Sequence, residues 1–220
     1  MNTAIEYNEN ELSYALLGEI YIENSEHKSA LAAARKAVDL DSKEENYHLL
    51  SRALMGEKKY EEANDYINLC HLESGIDLEA KAICLAEIGD ANGAELIAKG
   101  MLSNLSEYDA WAPTSLFVYF ITNNFIEIEN NFTEITKYYE TDNDLLSIYL
   151  WALLNLKRMD YAHEYVKQLI ATTKFRFKDK GYIKSRIKSI DRISKEILRN
   201  SKKPEIIYGT TPYEINFYFE

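Results

Sequence analysis

Histidine and cysteine are the residues of this chain best suited to metal or nucleophilic chemistry. The histidines form no HxxxH or HExxH pair and predict no metal site; they are His27, His48, His71 and His163. No acids are expected to gather around His48 or His71 at ligand spacing. Cys70 and Cys84 form no CxxC motif and fall on apolar positions of predicted helices. We therefore expect reduced core thiols rather than a disulfide.

Catalytic motifs of other kinds do not occur in the sequence. The chain has no GxGxxG, no Walker phosphate loop and no GxSxG nucleophile turn. Glutamate pairs such as Glu44-Glu45 and Glu61-Glu62 fall on the surfaces of predicted helices, where solvated charge is the ordinary explanation. We therefore expect no catalytic residue, no cofactor and no metal.

Charge is distributed unevenly along the 220 residues. The net charge is -11, but residues 1–173 hold 13 Lys and Arg against 30 Asp and Glu, whereas residues 174–203 hold 12 against 3. An acidic body argues against general nucleic-acid binding by that body. The N-terminus shows no basic-then-apolar signal, and no apolar run approaches the roughly 18 residues that span a membrane. We expect a cytoplasmic protein without membrane contact.

The chain predicts a series of helical hairpins, and an alanine on the second helix of each hairpin sets their register. It recurs as Ala30, Ala63, Ala94 and Ala162, with Ile128 in its place in the fourth hairpin, and the spacings are 33, 31, 34 and 34 residues. A period near 34 is typical of stacked helical hairpins. The fourth predicted hairpin differs from the others because large residues, Ile128, Phe132 and Ile135, stand where small ones are expected. We expect that hairpin to be splayed or shifted.

The residues around this register resemble the tetratricopeptide repeat family. The matching segments are Tyr14-x-x-Leu17-Gly18-x-x-Tyr21 with Ala30-x-x-x-Ala34-x-x-Ala37, then Gly56-Glu-Lys-Lys-Tyr60-Glu-Glu-Ala63, then Gly89-Asp90-x-x-x-Ala94. The resemblance implies an all-α, right-handed superhelical solenoid of about five helix hairpins over residues 1–173. It also implies a non-enzymatic adaptor or chaperone that binds a protein or peptide in a concave groove.

The same resemblance implies which residues line the groove, because the first helix of each hairpin faces it in this family. We expect partner binding by His48, Arg52, Phe117, Phe120, Ile121, Trp151 and Leu154. The aromatic members favour a binding hot spot, and the alternative is that they pack inside the fourth hairpin. Members that grip terminal carboxylates use Lys, Asn and Arg where this chain has Ala15, Glu19 and Leu49, so that specificity is not expected.

The last part of the chain departs from the repeats. Residues 174–203 predict a basic amphipathic capping helix, with apolar positions at Ile183, Ile187, Ile190, Ile193 and Ile197. The alternative function is a regulator that contacts nucleic acid through this basic segment. Residues 204–220 are aromatic and β-branched and contain two breakers, which predicts an extended tail. We expect the tail to dock on the C-terminal half of its own chain or to exchange into a homodimer.

Overall fold

The structure, a computed structural model, describes residues 10–71, 75–103, 112–138, 140–208 and 215–218. Within these ranges the chain is almost entirely helical, which confirms the predicted all-α class. The eleven helices are α1 (Glu11–Glu23), α2 (His27–Leu40), α3 (Glu44–Gly56), α4 (Tyr60–Ile67), α5 (Gly75–Glu87), α6 (Ala91–Ser103), α7 (Ala112–Ile121), α8 (Phe125–Tyr138), α9 (Asn143–Asn155), α10 (Met159–Arg176) and α11 (Lys180–Ser194). None of these helices is long and apolar enough to cross a membrane.

The C-terminal tail is extended where the structure describes it. Two short strands, β1 (Glu205–Tyr208) and β2 (Ile215–Tyr218), pair as a two-stranded sheet. Residues 209–214 and 219–220 lie outside the described residues. The extended conformation predicted from the aromatic and β-branched composition is therefore confirmed for both strands, while the place where the tail docks stays a prediction.

Helix contacts divide the chain into two compact units, the first with α1–α6 and the second with α7–α11. Inside each unit consecutive helices pack as hairpins: α1 with α2, α3 with α4, α5 with α6, α7 with α8, and α9 with α10. The first helices of neighbouring hairpins also touch, α1 with α3, α3 with α5, and α7 with α9. Side chains on α1, α3 and α5 can therefore meet, and so can those on α7 and α9.

One turn geometry recurs in all five described hairpins. A residue with left-handed φ follows the first helix in each hairpin: Ser25 (φ 58°), Lys58 (58°), Gly89 (89°), Asn123 (59°) and Lys157 (59°). In every case the next backbone N–H donates to the carbonyl five residues earlier at 2.8–2.9 Å, as Arg158 does to Leu153. This is the paired closure of a Schellman helix end. The turns follow one another at 33, 31, 34 and 34 residues, the same spacings as the small-residue register.

Four of these five left-handed positions carry a side chain, and that predicts a stabilising substitution. Left-handed backbone costs an L-residue about 1–2 kcal/mol, whereas glycine loses about 0.5–1 kcal/mol more backbone entropy on folding. Because the strain that is relieved exceeds the entropy that is lost, Lys157→Gly should raise the free energy of unfolding by about 0.5–1 kcal/mol. Urea denaturation of the full chain followed by circular dichroism measures the change.

The matched control for this prediction is Lys167→Gly, the same substitution at an exposed position inside α10. Glycine in a helix interior costs roughly 1 kcal/mol, so the two variants should shift in opposite directions. A loss of stability in Lys157→Gly comparable to that in Lys167→Gly would contradict the turn geometry at this position.

Helix packing depends on a buried residue at a fixed place after each turn, an alanine in four of the five hairpins. Five residues beyond the left-handed residue lies a fully buried side chain in every hairpin: Ala30, Ala63, Ala94, Ile128 and Ala162. The contact between first helices also needs a small residue. A Cβ built on Gly18 of α1 would lie 3.0 Å from Cδ2 of Leu49 on α3. That distance is tighter than ordinary van der Waals contact, so glycine allows these two helices to approach.

The fourth hairpin keeps its large residues buried in an aromatic cluster. Ile128, Phe132 and Ile135 of α8 are all buried. Phe132 stacks on Tyr149 of α9 with ring centroids 3.8 Å apart, and Tyr165 of α10 meets both rings in a T-shaped arrangement. The bulk that replaces small residues therefore fills the space between consecutive hairpins. The turn of this hairpin has the same geometry as the other four and does not show whether the two helices splay. The splayed or shifted hairpin therefore stays a prediction.

The boundary between the last hairpin and the terminal helix differs from the predicted one. Helix α10 runs to Arg176, three residues past the predicted end of the repeats at residue 173. The next helix starts where the Asp179 side chain accepts a hydrogen bond from the backbone N–H of Tyr182. An aspartate at this position satisfies a free N–H of the first turn. Composition alone could not locate this cap, because basic residues occur on both sides of it.

The terminal helix buries the isoleucine face that the sequence predicts. Ile190, Ile193 and Ile197 are buried, and α11 packs against α9 and α10. One π-helical turn, Lys195–Arg199, follows α11 and also contacts α9. The Arg186 guanidinium donates hydrogen bonds to the Asn143 side chain and to the Thr141 carbonyl, so one basic residue of this helix belongs to the fold of the second unit.

Candidate functional site

The two phenylalanines of the predicted groove lie in the core. Phe120 of α7 is 1% exposed and Phe117 is 7% exposed. The Nζ of Lys203 lies 5.5 Å from the centroid of the Phe120 ring, within the range of a cation–π contact. Their burial favours the alternative, that they pack within the fourth hairpin, and partner binding by these two rings stays a prediction.

The other three predicted residues of the second unit are partly accessible. Ile121 ends α7, and Trp151 and Leu154 lie on α9; all three are half-buried. Helices α7 and α9 pack against each other, so these residues belong to two contacting helices of one unit. A tryptophan that keeps part of its ring exposed while the rest packs is typical of a binding surface.

The predicted groove residue Arg52 is already paired. Its Nη1 lies 2.8 Å from both carboxylate oxygens of Glu19, so the pair joins α3 to α1. The positive charge of Arg52 is therefore compensated within the protein. A ligand carboxylate would have to displace Glu19 to bind there, which agrees with the expectation that this surface does not grip terminal carboxylates.

His48 lies in a group of five residues that offer nitrogen, oxygen and sulfur atoms to one another. We call this group the His48 cluster; its members are Glu44 and His48 on α3, Cys70 and His71 after α4, and Asp77 on α5. His48 Nδ1 lies 2.9 Å from Asp77 Oδ1, and His48 Nε2 lies 3.8 Å from Glu44 Oε1. Glu44 also accepts from the backbone N–H of His71 at 2.6 Å and approaches its Nδ1 at 2.9 Å.

The electrostatics of the His48 cluster follow from these contacts. The side-chain hydrogen bond with His71, reinforced by the backbone N–H of His71, lowers the pKa of Glu44. Burial, with the nearby charges of Glu44 and Asp77, raises the pKa of the Cys70 thiol to about 11. Asp77 is buried beside His48. The cluster thus holds two carboxylates and a protonated thiol close to two imidazoles.

Sequence reasoning missed the His48 cluster. The expectation that no acids gather around His48 and His71 is wrong, because Glu44 lies against both and Asp77 against His48. One signal was available: Glu44 and His48 are four residues apart and share a helix face. The remaining members become neighbours only when α3, α4 and α5 pack, and no local motif indicates that contact.

Comparison with known proteins adds no identification. No family model and no curated protein matches this chain.

Proposed function

We propose that this chain is a non-enzymatic tetratricopeptide-like repeat protein that binds a protein or peptide ligand, as an adaptor or a chaperone does. On this proposal the hairpins are five repeats of one unit in a right-handed solenoid. The observation that carries it is the turn that recurs at near-34-residue spacing with a buried residue at a constant offset. Repeats of this period bury their cores against neighbours and present their first helices to ligands.

The binding surface proposed in the second unit consists of Ile121, Trp151 and Leu154. These residues combine apolar area with partial exposure on two contacting helices. Aromatic anchors at the centre of an interface commonly carry most of its binding free energy. Phe117 and Phe120, which are buried, support the fold of α7 and do not contact the ligand directly.

The charge of the chain supports a ligand that is neutral or basic. Residues 1–173 carry 30 acidic side chains against 13 basic ones. An acidic surface steers basic partners toward it and repels acidic ones. The Glu19–Arg52 pair leaves no uncompensated cation at that position to receive a carboxylate.

The proposed surface is tested by comparing what the protein captures before and after it is changed. The immobilised full chain and its Trp151→Ala/Leu154→Ala variant are exposed to lysate of the source cells, and the retained proteins are quantified by mass spectrometry. Truncating a central aromatic anchor commonly costs about 2 kcal/mol or more, which is about 30-fold in affinity. We expect the specific partner to be retained by the unchanged chain and depleted with the double variant.

Tyr161→Ala is the matched control, because Tyr161 is a large, exposed aromatic residue on α10 outside the proposed surface. This variant should retain the partner at the level of the unchanged chain. Circular dichroism melting of all three proteins separates a binding defect from unfolding. Equal capture by the double variant and the unchanged chain, with both folded, would show that the ligand binds elsewhere.

The basic face of the terminal helix supports the nucleic-acid alternative less well. Lys184, Lys188, Arg192, Lys195 and Arg199 are exposed, whereas Arg186 is bound to the fold. A helix at the end of a repeat array needs a solvated polar face in any case. Exposure of these residues therefore does not distinguish phosphate binding from ordinary solvation.

A further inference from the structure

We propose that the His48 cluster binds a divalent transition-metal ion of the Zn²⁺ type, with Glu44, His48 and Cys70 as ligands, His71 completing the coordination, and Asp77 orienting His48. This inference is independent of the ligand-binding surface in the second unit. It rests on the donor set, on the distances between the donors, and on the hydrogen bond that fixes the orientation of the His48 ring.

The distances between the three principal donors suit one small cation. A carboxylate oxygen of Glu44, a ring nitrogen of His48 and the sulfur of Cys70 all lie within 4.8 Å of one another. Zn²⁺ bonds of about 2.0–2.3 Å in tetrahedral geometry place ligand atoms roughly 3.5 Å apart. The 3.8 Å separation of His48 Nε2 from Glu44 Oε1 is already near that value.

Two of these donors share a helix, and the other two are consecutive residues held against it. Glu44 and His48 are one turn apart at the start of α3, so both side chains lie on one face of that helix. Cys70 and His71 are consecutive, and the backbone N–H of His71 is tied to Glu44 at 2.6 Å. His71 also presents Nδ1 to Glu44 Oε2 at 2.9 Å, and its side chain is 84% exposed and can turn toward an ion bound by the other three.

Asp77 gives His48 the orientation of a metal ligand. His48 Nδ1 lies 2.9 Å from Asp77 Oδ1, which favours the tautomer with the proton on Nδ1. The lone pair of Nε2 then points to the side where Glu44 lies. Metal-bound histidines almost always donate their second ring N–H to a carboxylate, a carbonyl or water in this way.

The donor set also selects the kind of ion. Sulfur and imidazole ligands favour Zn²⁺ and related transition metals, whereas Ca²⁺ and Mg²⁺ prefer sites made wholly of oxygen. Two carboxylates next to the Cys70 sulfur create a local excess of negative charge that a divalent cation offsets. A bound ion would join α3 to the segment after α4, and through Asp77 to α5, and should raise the melting temperature of the protein.

The test is metal titration of the full chain after treatment with EDTA and removal of the chelator. With Zn²⁺ alone, calorimetry should give one site per chain, and the melting temperature should rise. With Co²⁺ alone, a thiolate-to-cobalt charge-transfer band should appear. Cys70→Ser should abolish the band and weaken Zn²⁺ binding about 100-fold, and Asp77→Asn should keep the band and weaken binding about 10- to 100-fold.

Cys84→Ala is the matched control, since Cys84 is a buried cysteine of α5 outside the cluster. It should retain the cobalt band and the affinity for Zn²⁺. If Cys70→Ser does not fold, His71→Ala provides the second variant, because His71 is exposed, and it should bind Zn²⁺ at least tenfold more weakly. The proposal is overturned by substoichiometric Zn²⁺ binding to the unchanged chain, or by equal Zn²⁺ affinity in the folded ligand variants and the unchanged chain.

Discussion

Replacing Phe132 with alanine should lower the free energy of unfolding of the second unit by about 3–5 kcal/mol. Phe132 is buried, stacks on Tyr149 with ring centroids 3.8 Å apart, and lies 5.6 Å from the ring of Tyr165. Its loss removes apolar burial and two aromatic contacts, and leaves a cavity where α8, α9 and α10 meet. The structure around a deleted ring relaxes only partly, so the remaining cavity adds to the free energy lost with the apolar burial.

The chain provides a control of the same residue type. Phe175 lies on α10 in the same unit and is 94% exposed, so Phe175→Ala should change stability by no more than about 0.5 kcal/mol. Trp151 lies on α9 of this unit, so its fluorescence during urea unfolding reports on the unit. Equal urea midpoints for Phe132→Ala and Phe175→Ala would contradict the burial of Phe132 in the core.

The hairpins were the most predictable part of the fold because their signals are local. Close approach of two helices favours a small residue at one offset from each turn, and four of the five hairpins have alanine there, so the register could be found by counting. Residues 30, 63, 94, 128 and 162 are all buried at the same offset from a left-handed turn residue. Local patterns do not indicate the left-handed turn residues themselves, because three of them are not the glycine expected there: Ser25, Lys58 and Lys157.

The aromatic residues of the second unit show where local reasoning fails. Periodicity placed Phe117, Phe120 and Trp151 on helices, but burial depends on which neighbours cover each face. Phe120 is covered and Trp151 remains half-exposed, although both lie on first helices of hairpins. A family resemblance assigns a residue to the groove by its register. It cannot state whether Lys203, far away in sequence, will lie against the Phe120 ring.

The His48 cluster shows the same limit for chemistry. Its five members come from three parts of the first unit, and the sequence contains none of the short metal motifs that would have joined them. Only Glu44 and His48 are related by a helical spacing. Packing of α3 against α4 and α5 supplies the rest. Donor sets assembled by tertiary contacts therefore become visible only after the fold is known.

Cys84 should react with thiol reagents more than about a thousandfold more slowly than an unperturbed cysteine at pH 8. Burial, with a smaller effect of Glu87, raises the pKa of its thiol to about 12. The thiolate is the reactive species, and at pH 8 it would be roughly one molecule in ten thousand here, against about one in four for a pKa near 8.5. Its side chain is also fully buried, so the rate falls further.

The measurement is alkylation of the Cys70→Ser variant, in which Cys84 is the only cysteine, in EDTA with and without urea. Reaction in urea should be fast, and reaction under native conditions should require opening of α5. Native labelling at the rate of a free thiol would contradict the burial of Cys84.

The labelling rate of Cys84 also measures the stability of the first unit, as tryptophan fluorescence does for the second. If Phe132→Ala weakens the second unit while Cys84 stays protected, the two units unfold independently; if Cys84 becomes equally reactive, they unfold as one.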